Sequence, residues 1–287
     1  MSTPIRWRHE RPARRRPKQE PRPLTLIKSV LGEMARVALA EPFMLSLERQ
    51  QIFLRRLPKA LDGLRIVHLS DFHYGPLTNS KHLERAVEAA NELRPDLIAL
   101  TGDYISQDRI YAAPCADLVG RLRARHGVYA ILGNHDHWTD AALISDLFRA
   151  EGIRVLINEG LRLDLRRKSF WLAGVNDTMV GLEDLPLALA GSRDDELRIL
   201  LAHNPVILRR AARAGVDLVL SGHTHGGQVT LRSEKSRAGR PRRRMLRGLG
   251  RRGNTQIYVT RGLGTVVLPI RYGCPLEVSL LELRSMS

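Results

Sequence analysis

Five apolar runs along this chain each end in polar side chains that can take part in chemistry. The runs alternate with segments of helical periodicity, such as the one lined by Leu83, Val87 and Ala90. Buried strands that alternate with helices favour an α/β fold with mostly parallel pairing. The five runs cover residues 65–70, 96–101, 127–132, 197–202 and 216–220. Later strand-like runs, which include residues 153–158, 170–175 and 256–260, predict a second, more antiparallel sheet.

The polar clusters that follow these runs supply two carboxylates, one amide and five imidazoles. They are Asp71 with His73, Asp103, Asn134 with His135, His203, and His223 with His225. A single histidine at a strand end is more often a packed core residue, but five such coincidences are improbable. Because the carboxyl ends of strands in an open α/β sheet converge on one crevice, we expect these side chains to share one site.

The chemistry of this set favours a pair of metal ions. Oxygen and imidazole ligands without a thiolate suit Mn, Fe, Zn or Co. The set is too large for one ion, so we expect two divalent metal ions with one bridging carboxylate. Two metals roughly 3.5–4 Å apart can hold an activated hydroxide and stabilise an in-line displacement at phosphorus.

Several other classes of protein are disfavoured. The only cysteines are Cys115 and Cys274, which gives neither a disulfide framework nor a cysteine-based zinc site. The sequence contains no G-x-S-x-G motif, no P-loop and no dinucleotide-binding glycine motif before a helix. No apolar stretch approaches 18 residues, so no transmembrane helix is expected.

The ordered motifs resemble those of the calcineurin-like metallophosphoesterase superfamily. The matching blocks are Asp71-Phe72-His73, Gly102-Asp103, Gly133-Asn134-His135-Asp136, His203 and Gly222-His223-Thr224-His225. Each block alone is weak, but all five occur in order, and the resemblance extends over roughly residues 61–283. It implies a four-layer α/β-β/α sandwich of two mixed sheets.

The resemblance also implies a role for each residue in the motifs. The first metal would be held by Asp71, His73, Asp103 and His225. The second would be held by Asp103, Asn134, His203 and His223. His135 would be the catalytic residue that donates to the leaving-group oxygen or stabilises the transition state, and Asp136 would orient it. The implied reaction is cleavage of a phosphodiester or pyrophosphate bond by in-line attack of a metal-bridging hydroxide.

Finer blocks are similar to those of bacterial membrane- or envelope-associated phosphodiesterases, which include the UDP-2,3-diacylglucosamine pyrophosphatases of lipid A biosynthesis. They are LDGLRIVHLSDFHYG, AHNP, GHTHGGQ and RGLG. This similarity implies a lipid-linked or nucleotide-sugar-lipid substrate, while manganese remains one of the four metals that suit the ligand chemistry. Because the C-terminal strands of the family return near the site, Arg261 and Arg271 are candidate contacts to substrate phosphate. A salt-bridged or surface arginine is the competing interpretation.

The net charge of +16 lies almost entirely in two segments. Residues 1–22 carry eight Arg or Lys against two Glu, and residues 232–252 carry ten against one. These segments indicate an anionic partner: the phosphorylated substrate, an anionic membrane surface or nucleic acid. A nuclease or nucleotide phosphodiesterase is therefore the alternative function, and a non-catalytic membrane- or RNA-binding module is a third. Few aromatic residues accompany these arginines, which disfavours nucleic acid.

The expected organisation has three parts. Residues 1–23 form a disordered basic arm, and residues 24–60 form an amphipathic helix and lead-in strands. Residues 61–287 form the metallophosphoesterase domain, with a basic insert at 232–252. The interruption of the N-terminal apolar stretch by charged residues disfavours a secretory signal, so we expect a cytoplasmic protein, peripheral on the inner membrane.

Overall fold

The computed structural model describes residues 44–78, 80–229 and 247–286, together with three helical positions at Met34, Val37 and Leu39. The chain divides into two compact units, Met1–Arg36 and Val37–Ser287, and only Met34 is described in the first. The predicted basic arm, most of the predicted amphipathic helix and most of the basic insert lie outside the described residues. In the part of the chain that is described, no helix has the length and apolarity needed to cross a bilayer.

Twelve strands in the described residues form two six-stranded sheets. They are β1 (Leu45–Leu54), β2 (Leu64–Leu69), β3 (Leu97–Thr101), β4 (Val128–Ile131), β5 (Arg154–Val155), β6 (Glu159–Leu165), β7 (Lys168–Gly174), β8 (Arg198–Leu201), β9 (Leu218–Ser221), β10 (Gly248–Arg252), β11 (Thr255–Val259) and β12 (Leu276–Ser285). The first sheet has the order β1-β12-β2-β3-β4-β5, and the second has the order β10-β11-β9-β8-β7-β6.

Both sheets are mixed. In the first, β2 to β5 are parallel, β12 is antiparallel to β2, and β1 is parallel to β12. In the second, β7, β8, β9 and β11 are parallel, and antiparallel partners β6 and β10 close the two edges. The parallel strands of each sheet therefore end on the same side, which is the side that carries the predicted site residues.

The helices of the described residues cover the outer faces of the sheets. They are α1 (Ser80–Glu92), α2 (Ala112–Val119), α3 (Asn134–Thr139), α4 (Ala141–Ala150), α5 (Leu185–Leu189) and α6 (Leu208–Arg213). Caps fix where some of them begin: the Asp140 carboxylate accepts the Leu143 N–H at 3.0 Å at the start of α4. Short 3₁₀ turns cover Lys59–Leu61, Arg109–Tyr111, Pro205–Ile207 and His225–Gly227.

Three apolar layers hold these elements together. On β2, Val67 packs outward among the helices of the first sheet, while its neighbour Ile66 packs between the two sheets. On the second sheet, Leu220 faces the same inner layer and Val219 faces the outer helices. Strands buried on both faces are continuous apolar runs, as the sequence shows. The predicted four-layer α/β-β/α sandwich of two mixed sheets is confirmed.

Local boundaries differ from the sequence prediction in two places. The strand expected over residues 153–158 is reduced to two residues, Arg154–Val155, at the edge of the first sheet. The C-terminal part of the basic insert forms β10, which pairs with β11 through a turn at Gly253, where φ is 61°. Its arginine-rich composition conceals this strand.

Candidate metal centre

The fold brings all the predicted ligands to one edge of the two sheets. Asp71 and His73 follow β2, Asp103 follows β3, and Asn134 begins α3 after β4. His203 follows β8, while His223 and His225 follow β9. Because these strands are parallel within their sheets and the sheets face each other, seven side chains from five segments meet in one place.

The ligand atoms form three overlapping groups in which all atoms lie within 4.8 Å of one another. One group is Asp71, His73 and His225, and another is Asp103, His203 and His223. A third joins His73, Asp103 and His135, so Asp103 occurs in both halves of the site. The Asp103 carboxylate lies 3.1 Å from His203 Nε2 and 3.6 Å from His73 Nε2. These groups match the predicted division into two ions with Asp103 between them.

Two further observations test whether metal ions fit these residues. The Asn134 side chain is 2% exposed, and its Oδ1 has no hydrogen-bond partner in the described structure. The imidazoles face each other through ring nitrogens: His73 Nε2 lies 3.1 Å from His225 Nε2, and His203 Nε2 lies 3.2 Å from His223 Nδ1. An unpartnered amide oxygen and lone pairs that converge on a common centre are suited to binding cations.

Burial keeps most of these imidazoles neutral, which is the form that binds metal. Burial lowers the pKa of His73 to about 3 and lowers the pKa of His225 well below its ordinary value. Burial and the nearby positive charge of His203 also lower the pKa of His223. These three rings therefore offer nitrogen lone pairs at neutral pH without first losing a proton.

His203 and Asp103 form the most strongly coupled pair of the site. Burial opposes the charge of both, but their mutual attraction is stronger. It raises the pKa of His203 to about 10 and holds the pKa of Asp103 below its ordinary value. His203 Nδ1 donates to the Thr101 carbonyl at 2.6 Å, which fixes the ring so that Nε2 faces Asp103.

Asp71 is held in place by the loop that carries His223. Burial raises the pKa of Asp71 to about 6. Both of its carboxylate oxygens lie 3.0 Å from the His223 N–H, which donates to them. This contact requires a residue without a side chain at Gly222, because a Cβ there would overlap Ser70 and Asp71. Gly222, which precedes His223-Thr224-His225, thus allows the loop after β9 to contact the loop after β2.

The backbone at the site is strained in a regular way. Five of the seven ligand residues have a positive φ: Asp71 (52°), His73 (45°), Asp103 (57°), His223 (70°) and His225 (50°). This left-handed conformation costs a non-glycine residue roughly 1 kcal/mol or more. The sharp bends after the strands turn consecutive side chains towards one point, so the strain is part of how the site is built.

His135 lies at the rim of the ligand cluster and is partly exposed. Its backbone N–H donates to Asp103 at 2.9 Å, and its ring packs edge-on against His73 with the centroids 4.8 Å apart. Ring atom Nδ1 lies 2.9 Å from the Ser106 carbonyl, to which it donates. The Ser106 carbonyl therefore orients this ring and leaves Nε2 as the nitrogen available to a substrate.

Asp136 has a different environment from the one that the sequence suggested. Its fully buried carboxylate accepts the backbone N–H groups of Asp103 (2.8 Å), Tyr104 (2.8 Å) and Gly133 (2.9 Å). The described residues show no hydrogen bond between the Asp136 carboxylate and the His135 ring. Asp136 therefore holds together the two loops that carry Asp103 and Asn134, and Ser106 supplies the orientation expected of it.

The two arginines predicted to contact substrate are structural in this fold. Arg271 is 0% exposed, and its guanidinium donates to the carbonyls of Gly264 (3.2 Å), Cys274 (3.1 Å) and Arg261 (2.9 Å). Arg271 Nη2 also lies 3.3 Å from His225 Nδ1. Arg261 forms ion pairs with Glu48 at 2.6 Å and Glu277 at 2.7 Å. Both residues return near the site as expected, but they stabilise its walls.

Sequence reasoning missed one further residue of the site. Asp177 is fully buried after β7; its Oδ1 accepts the Met179 N–H at 2.7 Å, and its Oδ2 has no hydrogen-bond partner among described residues. Its negative charge acts to raise the pKa of both His203 and His223. The signal was present, because the run over residues 170–175 is a sixth apolar strand that is followed by polar residues, Asn176 and Asp177.

Comparison with known proteins agrees with this geometry. The family model described as calcineurin-like phosphoesterase matches residues 64–227, and the chain belongs to that family. It is accordingly a hydrolase that acts on phosphoester bonds and uses a dinuclear centre of divalent metal ions. The matched region contains all seven predicted ligands.

Individual relatives place the chain among bacterial and animal metallophosphoesterases. It is 34% identical over 250 residues to the uncharacterized metallophosphoesterase YkuE of Bacillus subtilis, covering 85% of this chain and 87% of that protein. It is 32% identical over 228 residues to the phosphodiesterase YaeI of Escherichia coli, covering 76% and 82% respectively. A bovine transmembrane protein with a metallophosphoesterase domain is 32% identical over 252 residues, and the aligned region covers 82% of this chain and 56% of that protein.

Proposed function

We propose that the chain cleaves a phosphodiester or pyrophosphate bond in an anionic, lipid-linked substrate. The observation that carries the lipid part is an apolar rim around the metal centre. Its members follow the carboxyl ends of strands and are strongly exposed: Trp138 (59%), Met179 (52%), Val229 (51%), Val267 (81%) and Leu268 (55%). Exposed apolar side chains that cluster around a polar site are typical of an interaction with apolar ligand or membrane.

Contacts tie this rim to the ligands. The Trp138 ring lies 5.0 Å from the His135 ring, centroid to centroid. After β9, Gln228 Nε2 donates to the carbonyls of Val266 and Leu268, each at 3.1 Å, and Gln228 itself closes the turn that begins at His225. A substrate whose phosphate lies between the ligands would therefore place its neighbouring groups against apolar surface.

The side chains divide the chemical work. Bound divalent metal ions supply Lewis-acid activation of the attacking and leaving oxygens. Asp103 belongs to both halves of the site. Asp71, His73 and His225 form the group of ligand atoms in one half. His135, oriented through Nδ1 by Ser106, presents Nε2 to the substrate and donates a proton to the leaving oxygen or stabilises charge on phosphorus. The relative named a phosphodiesterase supports a diester substrate.

Hydrolysis assays test this function. Protein supplied with Mn²⁺ is expected to hydrolyse bis(p-nitrophenyl) phosphate and, in a panel that includes UDP-2,3-diacylglucosamine, to prefer the lipid-linked compound. Asp103→Ala and His223→Ala are expected to abolish both activities. Arg85→Gln, which alters an exposed residue of α1, is the matched control and retains activity. Activity that survives both site variants would overturn the assignment, and preference for water-soluble substrates would overturn its lipid part.

We further propose peripheral contact with an anionic membrane through the basic arm and residues 232–252, at the cytoplasmic face of the inner membrane. The support is the charge of the sequence: ten Arg or Lys against one Glu in the insert, which begins shortly after the Val229 rim residue. Sedimentation with phosphatidylglycerol vesicles, compared across salt with gel shifts on RNA, tests this contact. Stronger binding to RNA would favour the nuclease alternative instead.

A further inference from the structure

A cleft of about 890 Å³ lies at the opposite end of the second sheet from the metal centre. Its floor is formed where β9 and β11 begin, at Val216, Asp217 and Thr255. The four residues of β9 span roughly 13 Å, and the metal ligands follow its other end. The cleft is therefore separate from the catalytic site, and its volume lies in the range of small-molecule pockets, about 300–1,000 Å³.

Six arginines line this cleft, and they come from three separate segments of the chain. They are Arg55, Arg56, Arg209, Arg213, Arg251 and Arg252. Asp217 is the one carboxylate among the described residues of the lining, so six positive charges face a single negative one. Like charges at such density repel one another, and the potential inside a concave surface is focused.

The single carboxylate is fully engaged within the protein. Asp217 accepts two bonds from Arg56 Nε, at 2.9 and 3.1 Å, and one from the Arg198 N–H at 2.8 Å. The Arg56 guanidinium also donates to the carbonyls of Asp194 and Gly215. This pair therefore forms a neutral floor, and it neither repels an anion nor compensates the other five arginines.

The other five arginines are exposed, and none is paired with a carboxylate of the described residues. Within the part of the chain that is described, the one hydrogen bond that the Arg251 side chain donates is to the Gly253 carbonyl, at 2.6 Å. Residues 1–22, which lie outside the described residues, also have a net positive charge, with eight Arg or Lys against two Glu. Guanidinium groups form bidentate bonds to phosphate oxygens, which makes a phosphate-bearing anion the ligand that matches this cleft.

Apolar side chains at the rim add a second element of recognition. Phe53 is 50% exposed, Leu249 39% and Met286 48%, and all three line the same cleft. We propose that the cleft is a second, non-catalytic site that binds a multiply charged, phosphate-bearing anion, with an apolar or ring portion against Phe53. This proposal goes beyond the hydrolytic function and does not depend on its substrate.

Binding measurements on the full chain test the proposal. With chelator present, calorimetric titration with inorganic triphosphate at physiological ionic strength is compared among three proteins. The cleft variant carries Arg209→Gln, Arg213→Gln and Arg252→Gln. The matched variant carries Arg85→Gln, Arg123→Gln and Arg149→Gln, which remove the same charge from exposed positions elsewhere. We expect at least about ten-fold weaker binding in the cleft variant and an unchanged affinity in the matched one.

A second arm identifies the source of the phosphate. Sedimentation with phosphatidylglycerol vesicles is compared for the same three proteins, and thermal unfolding confirms that each is folded. A loss of binding that is confined to the cleft variant supports the proposed site in either measurement. Loss of triphosphate binding indicates that the ligand is a free anion, and loss of vesicle binding indicates that it is a lipid headgroup. Phe53→Ser leaves the net charge unchanged, and it is expected to weaken binding to vesicles but not to triphosphate, which has no apolar portion. Equal affinities in the cleft and matched variants, for both probes, would overturn the proposal.

Discussion

The two ends of the second sheet are built from the same strands but by opposite means. At the carboxyl end, the candidate ligands His203, His223 and His225 are buried or half-buried, and two of them have left-handed backbone conformations. At the amino end, exposed arginines surround a cleft, and the one carboxylate that the described residues contribute to its lining is already paired. The first arrangement depends on exact backbone geometry, whereas the second depends on net charge. We therefore expect single substitutions to disable the metal centre, while the cleft requires several together.

The largest expected effect concerns the carboxylate shared by the two halves of the metal centre. Asp103→Asn replaces a charged ligand and leaves two sets of imidazoles without a common partner. Hydrolysis of bis(p-nitrophenyl) phosphate is expected to fall on the order of 10³-fold, because transition-state stabilisation by the ions is lost. Metal analysis of the purified variant should show less than the wild-type content. Wild-type turnover in this variant would contradict a shared ligand.

The next effect concerns the carboxylate that holds the two ligand loops together. Asp136→Ala leaves three buried N–H groups without an acceptor, those of Asp103, Tyr104 and Gly133. We expect a loss of about 3 kcal/mol in the free energy of unfolding, measured with denaturant. Asp136→Asn keeps one acceptor oxygen and should lose about half as much. If Asp136 only oriented His135, both variants would lose activity without losing stability.

The pH dependence of Asp136 provides a control on this interpretation. Burial, and then the negative charge of Asp103, raises the pKa of Asp136 to about 7 in the metal-free fold. Its protonated form therefore contributes stability at acid pH, and that contribution is lost as the pH rises through about 7. Asp136→Asn removes this titration, so the metal-free variant should show a flatter dependence of stability on pH between about 4 and 7.

A smaller effect is expected from Asp177, which touches the centre only through its charge. Asp177→Asn removes the negative charge that acts on His203 and His223 while keeping the bond to the Met179 N–H. Residues that support metal ligands typically contribute about ten-fold or more to affinity, so metal affinity should fall about ten-fold. Mn²⁺ titration followed by calorimetry measures it, and Asp164→Asn, an exposed site on β6, is the control. An unchanged affinity would show that this carboxylate does not support the centre.

The contrast between the two ends explains what the sequence was able to predict. The candidate ligands follow strands in chain order, so patterns such as Asp71-Phe72-His73 predict the fold and the side chains that the fold brings together. The cleft has no such order: Arg55, Arg209 and Arg252 lie far apart in sequence. They are brought together by the pairing of β10 with β11, the pairing of β11 with β9 and the bond from Arg56 to Asp217. Composition indicated an anionic partner at the arm and the insert, and of these two segments only the end of the insert, at Arg251 and Arg252, lines the cleft in the described part of the chain.

The structure gives Asp136 and Arg271 roles that differ from those predicted from the sequence. Asp136 is part of the Gly133-Asn134-His135-Asp136 motif and was expected to orient His135, and Arg271 was expected to contact substrate because the C-terminal strands return near the site. Their side chains instead satisfy backbone groups of the bent loops, at Asp103, Gly133 and Gly264. Sharp turns after strands expose N–H and carbonyl groups that no sheet satisfies, so charged residues near them are needed as partners. A sequence pattern does not show whether a charged side chain near such a turn takes part in the chemistry or satisfies a backbone N–H or carbonyl group.

The smallest expected effect distinguishes the apolar rim of the metal centre from the charged rim of the cleft. Trp138→Ser removes a 59% exposed ring from beside His135 without touching a ligand. If the rim contacts the lipid portion of the substrate, burial of part of the Trp138 ring contributes about 1 kcal/mol to substrate binding. Loss of this contribution should raise KM for a lipid-linked substrate several-fold and leave kcat unchanged. Turnover of bis(p-nitrophenyl) phosphate, which has no lipid portion, should stay the same. A parallel loss on both substrates would mean that Trp138 acts by positioning His135, and the rim would then offer no support for a lipid-linked substrate.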